Sequence, residues 1–168
     1  IAAPDEGNIH LMEIVATEAQ KARWLAPLVA GRTRSCFCMT EPAPGAGADP
    51  SMLMTTAVRD GDHYVVNGTK WFITGAAEAT HFILIARTSD DGGRGISCFI
   101  VPAGSDAMTF GAPEKKLGWN ASPTAQVIFE DARVPVANRV GEEGKGFRYI
   151  LSGMNAERIL IAAECIGD

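Results

Sequence analysis

Asp60-Gly61-Asp62-His63-Tyr64-Val65-Val66-Asn67-Gly68-Thr69-Lys70-Trp71-Phe72-Ile73-Thr74 is the stretch on which the fold turns. Asp-Gly and Asn-Gly tolerate the positive φ of tight type I′ turns, so Asp60-Gly61 and Asn67-Gly68 read as hairpin signals that bracket a short strand at residues 63–66. Outward from it, β-branched and aromatic runs predict strands at residues 55–59, 69–74, 81–88, 96–101 and 125–129, with loops at 89–94 and 102–106. Six or more short strands punctuated by turn residues predict a mainly β fold, an antiparallel β-barrel or sandwich.

The flanks change vocabulary. Thr17-Glu18-Ala19-Gln20 has the form of a capping box before a helix over residues 21–28, which Gly31 can close and which Pro27 should end or kink. Leu11, Met12, Val15 and Ala16 give residues 9–16 a helical spacing. Beyond the β text, a Gly-rich connector at 141–146 leads to an apolar stripe, Phe147, Ile150, Leu151 and Met154, that continues through Ile159, Leu160, Ala163 and Ile166. The expected organisation is helical to residue 34, a β domain over 35–140, and a connector with the first helix of a further helical domain over 141–168. A helix with an apolar face and nothing after it to cover that face reads as part of a longer chain.

Composition narrows the classes. The chain has 168 residues, 46% hydrophobic and 21% charged, so neither disorder nor a membrane protein is expected. No apolar run approaches the ~18 residues of a membrane span, and residues 1–8 lack the form of a secretory signal. A net charge of -5 with interspersed signs argues against a nucleic-acid partner. Cys36, Cys38, Cys98 and Cys165 match no metal-ligand or disulfide pattern. Cys36 and Cys38, at i and i+2, share one strand face and read as buried thiols in a reducing, cytoplasmic compartment (the mitochondrial matrix in a eukaryote). His10, His63 and His81 share no ligand spacing, so no metal is expected. Asp90-Asp91 and Lys115-Lys116 read as solvated loop charge.

Two segments carry candidate chemistry. In the first, a strand reading Phe37-Cys38-Met39-Thr40-Glu41-Pro42 runs into the loop Ala43-Pro44-Gly45-Ala46-Gly47-Ala48-Asp49, where glycines let backbone amides approach a flat ring or an anion and a Thr hydroxyl can donate. The second is Asn67 to Gly75. Strand alternation there sets Trp71 and Ile73 on one face and Phe72 and Thr74 on the other, leaving one face free to line a ligand. Each segment alone is equally the text of an ordinary strand and loop.

Together, at this separation, they resemble the signature regions of the acyl-CoA dehydrogenase family. The resemblance continues through Phe129-Glu130-Asp131-Ala132-Arg133-Val134-Pro135, Gly141-Glu142-Glu143-Gly144-Lys145-Gly146-Phe147 and Ala156-Glu157-Arg158, and so covers nearly the whole chain. It implies FAD as cofactor, held by Phe37, Met39, Thr40, Gly47, Phe72, Ile73 and Thr74. Phe72 takes the place of the family's usual Trp against the ring, and the Thr74 hydroxyl points at the flavin near N5. It also implies Ala48, Asn155 and Arg158 at the acyl-CoA substrate. The family loop usually reads Ala-Gly-Ser-Asp; Ala46-Gly47-Ala48-Asp49 lacks that hydroxyl and the loop is longer by two residues, a loss of about 1 kcal/mol of binding. Ser51, beyond Pro50, is a candidate replacement.

The family reaction removes an α-proton to a carboxylate and a β-hydrogen as hydride to the flavin. Many members bring that carboxylate from later helices, while isovaleryl and long-chain types carry it just before a family-typical Arg. Glu157 before Arg158 matches the second placement and is the candidate base; the alternative is a surface carboxylate paired with Arg158 or a neighbour. The resemblance implies α,β-dehydrogenation of an acyl-CoA thioester, an electron-transfer flavoprotein as acceptor, and a homo-oligomer, with these residues alone impaired in catalysis. An acyl-CoA oxidase and a β-barrel interaction module that has lost flavin are the rival readings.

Overall fold

A computed structural model describes residues 3–47 and 49–167. Helix α1 (Asp5–Val15) begins one turn before the predicted span, with Asp5 and Glu6 in its positive first turn. Thr17 then caps α2 (Glu18–Gln20) by the reciprocal bonds of a capping box, its hydroxyl accepting from the Gln20 amide at 3.2 Å and its own amide donating to the Gln20 side chain at 3.0 Å. The helix runs on through a π turn (Lys21–Leu25) into α3 (Ala26–Val29). Pro27 neither donates to nor tolerates the carbonyl four residues back, at Arg23, and the widened turn lies at that carbonyl. Gly31, at φ +69°, follows the last turn.

The strands are β1 (Ser35–Cys38), β2 (Thr56–Asp60), β3 (His63–Thr74), β4 (His81–Arg87), β5 (Ile96–Pro102), β6 (Met108–Phe110), β7 (Thr124–Pro135) and β8 (Arg139–Val140), followed by α4 (Gly146–Gly167). They form one sheet in the order β6-β7-β3-β2-β4-β5-β8, with β1 beside β4. Its character corrects the antiparallel barrel expected from sequence. β1 runs parallel to β4, β2 meets β4 in parallel through Thr56 and Arg87, and the path ends at β6 and β8 instead of closing.

The Asp60-Gly61 hairpin forms, with Asp60 paired to His63 and the positive φ on Gly61 alone, the pattern of a II′ turn. Asn67-Gly68 is not a turn. β3 passes straight through it, because the twelve-residue β7 pairs with β3 along its length, from His63–Pro135 to Thr74–Thr124. The irregularity shrinks to a register shift between Val66 and Gly68. There the Asn67 side chain exchanges two 2.9 Å bonds with Asp131, itself at φ +58°.

Alternation along the sheet divides two cores. Tyr64, Phe82, Phe99 and Phe129 fill one, over which the sheet curls; Met12, Leu28, Ile83, Ile100 and Ile150 fill the other, between sheet and helices. β4 and β5 are buried on both faces because they separate the two, which is why both read as unbroken apolar runs. α1 is tied to β1 by Asp5, whose carboxylate accepts from the Ser35 amide and hydroxyl, each at 2.7 Å.

Candidate functional site

β1 delivers its residues to opposite sides. Cys36 and Cys38 enter the sheet's core, as expected, and burial pushes the Cys36 thiol up to about 12. Phe37 and Met39 face the helices, where they line a recess of about 110 Å³ with Leu11, Ile150, Met154 and Glu157. The sequence motifs on β1 and β3 lie side by side. The Trp71 amide donates to the Thr40 carbonyl at 2.8 Å, and the Cys36 thiol to the Thr74 carbonyl at 2.9 Å.

β3 does not alternate here as predicted. A register shift between Lys70 and Ile73 puts Phe72 at φ +57°, a conformation rare for an aromatic residue. Lys70 and Ile73 therefore both point inward, whereas Phe72 stands 56% exposed with Trp71 stacked on it, ring centroids 4.7 Å apart. The Trp71 indole donates to Glu114 at 2.5 Å. Thr74 is exposed, and the buried Ile73 side chain leaves only its backbone for a ligand.

Behind this surface lies an ion pair that strand alternation gave no reason to expect. Lys70 Nζ, fully buried, donates to Glu41 at 2.8 Å and to the Met39 carbonyl at 3.1 Å. Glu41 also accepts from the amides of Ala46, Met54 and Thr55 at 3.3, 2.6 and 2.8 Å, closing the loop after β1. Burial opposes its charge, but Lys70 and the amide donors outweigh that and hold the carboxyl at about 2. Burial likewise pulls the Lys70 ammonium down to about 8 against the attraction of Glu41. The available signal was a lysine set in the middle of a strand of β-branched and aromatic residues.

In the loop itself, Gly47 is exposed with nothing near the position of a Cβ, and Ala48 lies outside the described residues. Asp49 caps a short 3₁₀ turn (Pro50–Met52) by accepting from the Ser51 amide at 2.9 Å. Glu157 does not pair with Arg158, which turns to Asn155 at 3.4 Å. It lies against α1, where burial and then Glu6 raise its pKa, with His10 opposing. A second groove, of about 730 Å³, opens between the Gly92–Gly95 turn and the start of α4; its charged walls are Asp91 and Arg94, paired at 3.0 Å, with Glu143, Lys145 and Arg148. Lys116 is not solvated loop charge as expected: it donates to the Ser122 carbonyl and, at 3.1 Å, to the Thr124 hydroxyl, stapling the loop before β7. His81 is buried beside Trp24, and burial lowers its pKa to about 4.

Residues 36–132 match the family model described as "Acyl-CoA dehydrogenase, middle domain". The chain belongs to the acyl-CoA dehydrogenase family. It is 45% identical over 159 residues to the mitochondrial isobutyryl-CoA dehydrogenase of Bos taurus, an alignment covering 95% of this chain and 38% of that protein. The butyryl-CoA dehydrogenase structure from Megasphaera elsdenii superposes with a TM-score of 0.89 at 38% identity, over 95% of this chain and 42% of that one. A chain from a structure titled for the electron transferring flavoprotein of Acidaminococcus fermentans matches equally well, at a TM-score of 0.89 and 40% identity, over 95% of this chain and 42% of that one. The chain thus spans about two fifths of the length of these acyl-CoA dehydrogenase relatives. Among the described residues, no helix is long and apolar enough to cross a membrane, and no group of His, Cys, Asp or Glu is placed to hold a metal.

Proposed function

We propose that this chain is the cofactor-binding centre, residues 35–140 with helical flanks over 1–34 and 141–168, of an enzyme that dehydrogenates an acyl-CoA thioester between its α and β carbons. The observation that carries the reading is that the segment of β1 and Thr40 is bonded to β3 on one side and faces α1 and α4 across a recess on the other. The Thr40–Trp71 and Cys36–Thr74 contacts align the two strands, and Phe37, Met39 and Glu157 share one recess.

The residues present fit FAD. Phe72 offers an exposed aromatic face at the bulge, Thr74 is exposed two residues on along β3, the Thr40 carbonyl is bonded to the Trp71 amide beside it, and Gly47 leaves its backbone bare. FAD held there would supply the hydride acceptor of the reaction. The chain's own share is orientation and charge: Phe72 stacks, the hydroxyls and amides favour the negative charge of the reduced ring, and Glu157 takes the α-proton. A carboxylate whose pKa is raised holds an abstracted proton better than an ordinary glutamate. Asn155 and Arg158, expected at the substrate, are joined to each other on exposed turns of α4 and do not line the recess that holds Glu157, so their part in the reading is to meet acyl-CoA outside it. Lys145 and Arg148 supply positive charge for the phosphates of CoA. An electron-transfer flavoprotein is the acceptor, and the complete enzyme is a homo-oligomer.

An anaerobic titration tests this. The FAD-loaded protein should lose its visible flavin absorption on addition of an acyl-CoA thioester, and its reduced form should react slowly with oxygen. A bound flavin that no thioester bleaches removes the dehydrogenase reading, and rapid reoxidation by oxygen replaces it with an oxidase.

A further inference from the structure

Helices α1 and α4 meet at two glycines. A Cβ built on Gly7 would lie 1.8 Å from Oε1 of Glu157 and 2.9 Å from its Cδ, a clash that no side chain could absorb without moving the carboxylate. The Glu157 head group therefore rests on the bare backbone of α1, in space that any other residue type would occupy. At Gly153, on the opposite helix, a Cβ would meet only His10 Cδ2 at 3.6 Å, an ordinary contact. The two positions are both helical, both glycine, and physically different. Gly7 is the third residue of α1, in its first turn, and what it contributes to the interface is the room a side chain would fill.

We propose that Gly7 is a positioning residue for Glu157: its missing side chain is the seat that holds the carboxylate at the recess lined by Phe37 and Met39. The inference rests on the dehydrogenase reading only for what the carboxylate does there; the seat itself is a matter of packing. The charged groups facing Glu157 across the interface are Glu6 and His10, both on α1, while Arg158 on its own helix is turned to Asn155. Seated, the carboxylate is partly withdrawn from water and near the Glu6 charge. Unseated, it swings toward solvent and loses both influences.

The test is a ¹³C carboxyl NMR titration of the chain, with Glu157 assigned by its disappearance in Glu157→Gln. In the parent, Glu157 should titrate above an ordinary glutamate. In Gly7→Ala that upward shift should vanish, whereas Gly153→Ala should leave it unchanged. A Gly7→Ala chain with a native melting curve and an unmoved Glu157 titration overturns the proposal, as does a Gly153→Ala chain that moves it equally. Should Gly7→Ala melt far below the parent, the double variant Gly7→Ala with Glu157→Ala decides: recovery of the melting temperature supports the seat, and no recovery removes it. These readouts need neither flavin nor thioester, so a chain that passes them keeps the seat even if the complete FAD-loaded enzyme is bleached by no thioester and the dehydrogenase reading is lost.

Discussion

Lys70 shows how a single buried charge can organise a site it does not touch. Its ammonium bonds the Met39 carbonyl, one residue from Thr40, and its partner Glu41 bonds three amides of the following loop. Breaking such a pair from one side leaves an uncompensated charge, so Lys70→Met should cost about 3–5 kcal/mol in urea unfolding. The acid limb carries a second expectation. The Glu41 carboxyl is held at about 2 against an ordinary 4.5, so across that window the unfolded chain binds more protons than the folded one. Its contribution is present above about 4.5 and is lost as pH falls toward about 2. The drop in stability between pH 5 and pH 3 should be smaller in Lys70→Met than in the parent, because without the ammonium the folded-state pKa rises toward its unfolded value. An equal drop in both shows that Lys70 does not set it. Asp5 is the simpler case. Asp5→Ala strands the buried Ser35 amide and hydroxyl, and chemical denaturation should report a loss of about 1–3 kcal/mol.

At the scale of elements, what was legible in the sequence is what is local. The Thr17 capping box and the Asp60-Gly61 hairpin each involve neighbours a few residues apart, and both form, the hairpin through a II′ turn in place of the predicted I′. Asn67-Gly68 carries equally strong turn chemistry yet lies inside β3, because its fate depends on β7, some sixty residues away. β6 and β8, three and two residues long, exist only through their partners and left no pattern to read. In the candidate site, alternation was enough to set Phe72 and Thr74 on one face and Ile73 on the other, but not to say which face is outward. The bulge that puts Lys70 inward with Ile73 was not legible, since period-2 alternation cannot register an inserted residue. The difference between turn and strand is measurable by amide hydrogen exchange. Thr69 and Lys70, opposite Ile128 and Val127, should be protected like the middle of the sheet; exchange as fast as at Gly61-Asp62 means that Asn67-Gly68 opens as a hairpin after all.

Across the whole molecule, α4 is two half-helices with different surroundings. Its first turns pack on the sheet and α1, where Ile150 is buried and Phe147 and Met154 are half-buried. Its later turns carry Ile159, Ile161 and Ile166 at 70%, 55% and 87% exposure. The apolar stripe was therefore readable as a helix, but no described element covers its second half, and a stripe by itself does not name what it packs against. A contiguous apolar face of this kind associates in water when another copy can reach it. Sedimentation velocity of the 168-residue chain should show concentration-dependent association, and Ile159→Glu with Ile166→Glu, seven residues apart on one face, should shift it toward monomer. Because both side chains already stand in solvent, the same change should leave the melting temperature of the β domain nearly unmoved. A sharp fall in that temperature would mean that these turns are packed in solution, and that the two halves of α4 share one environment.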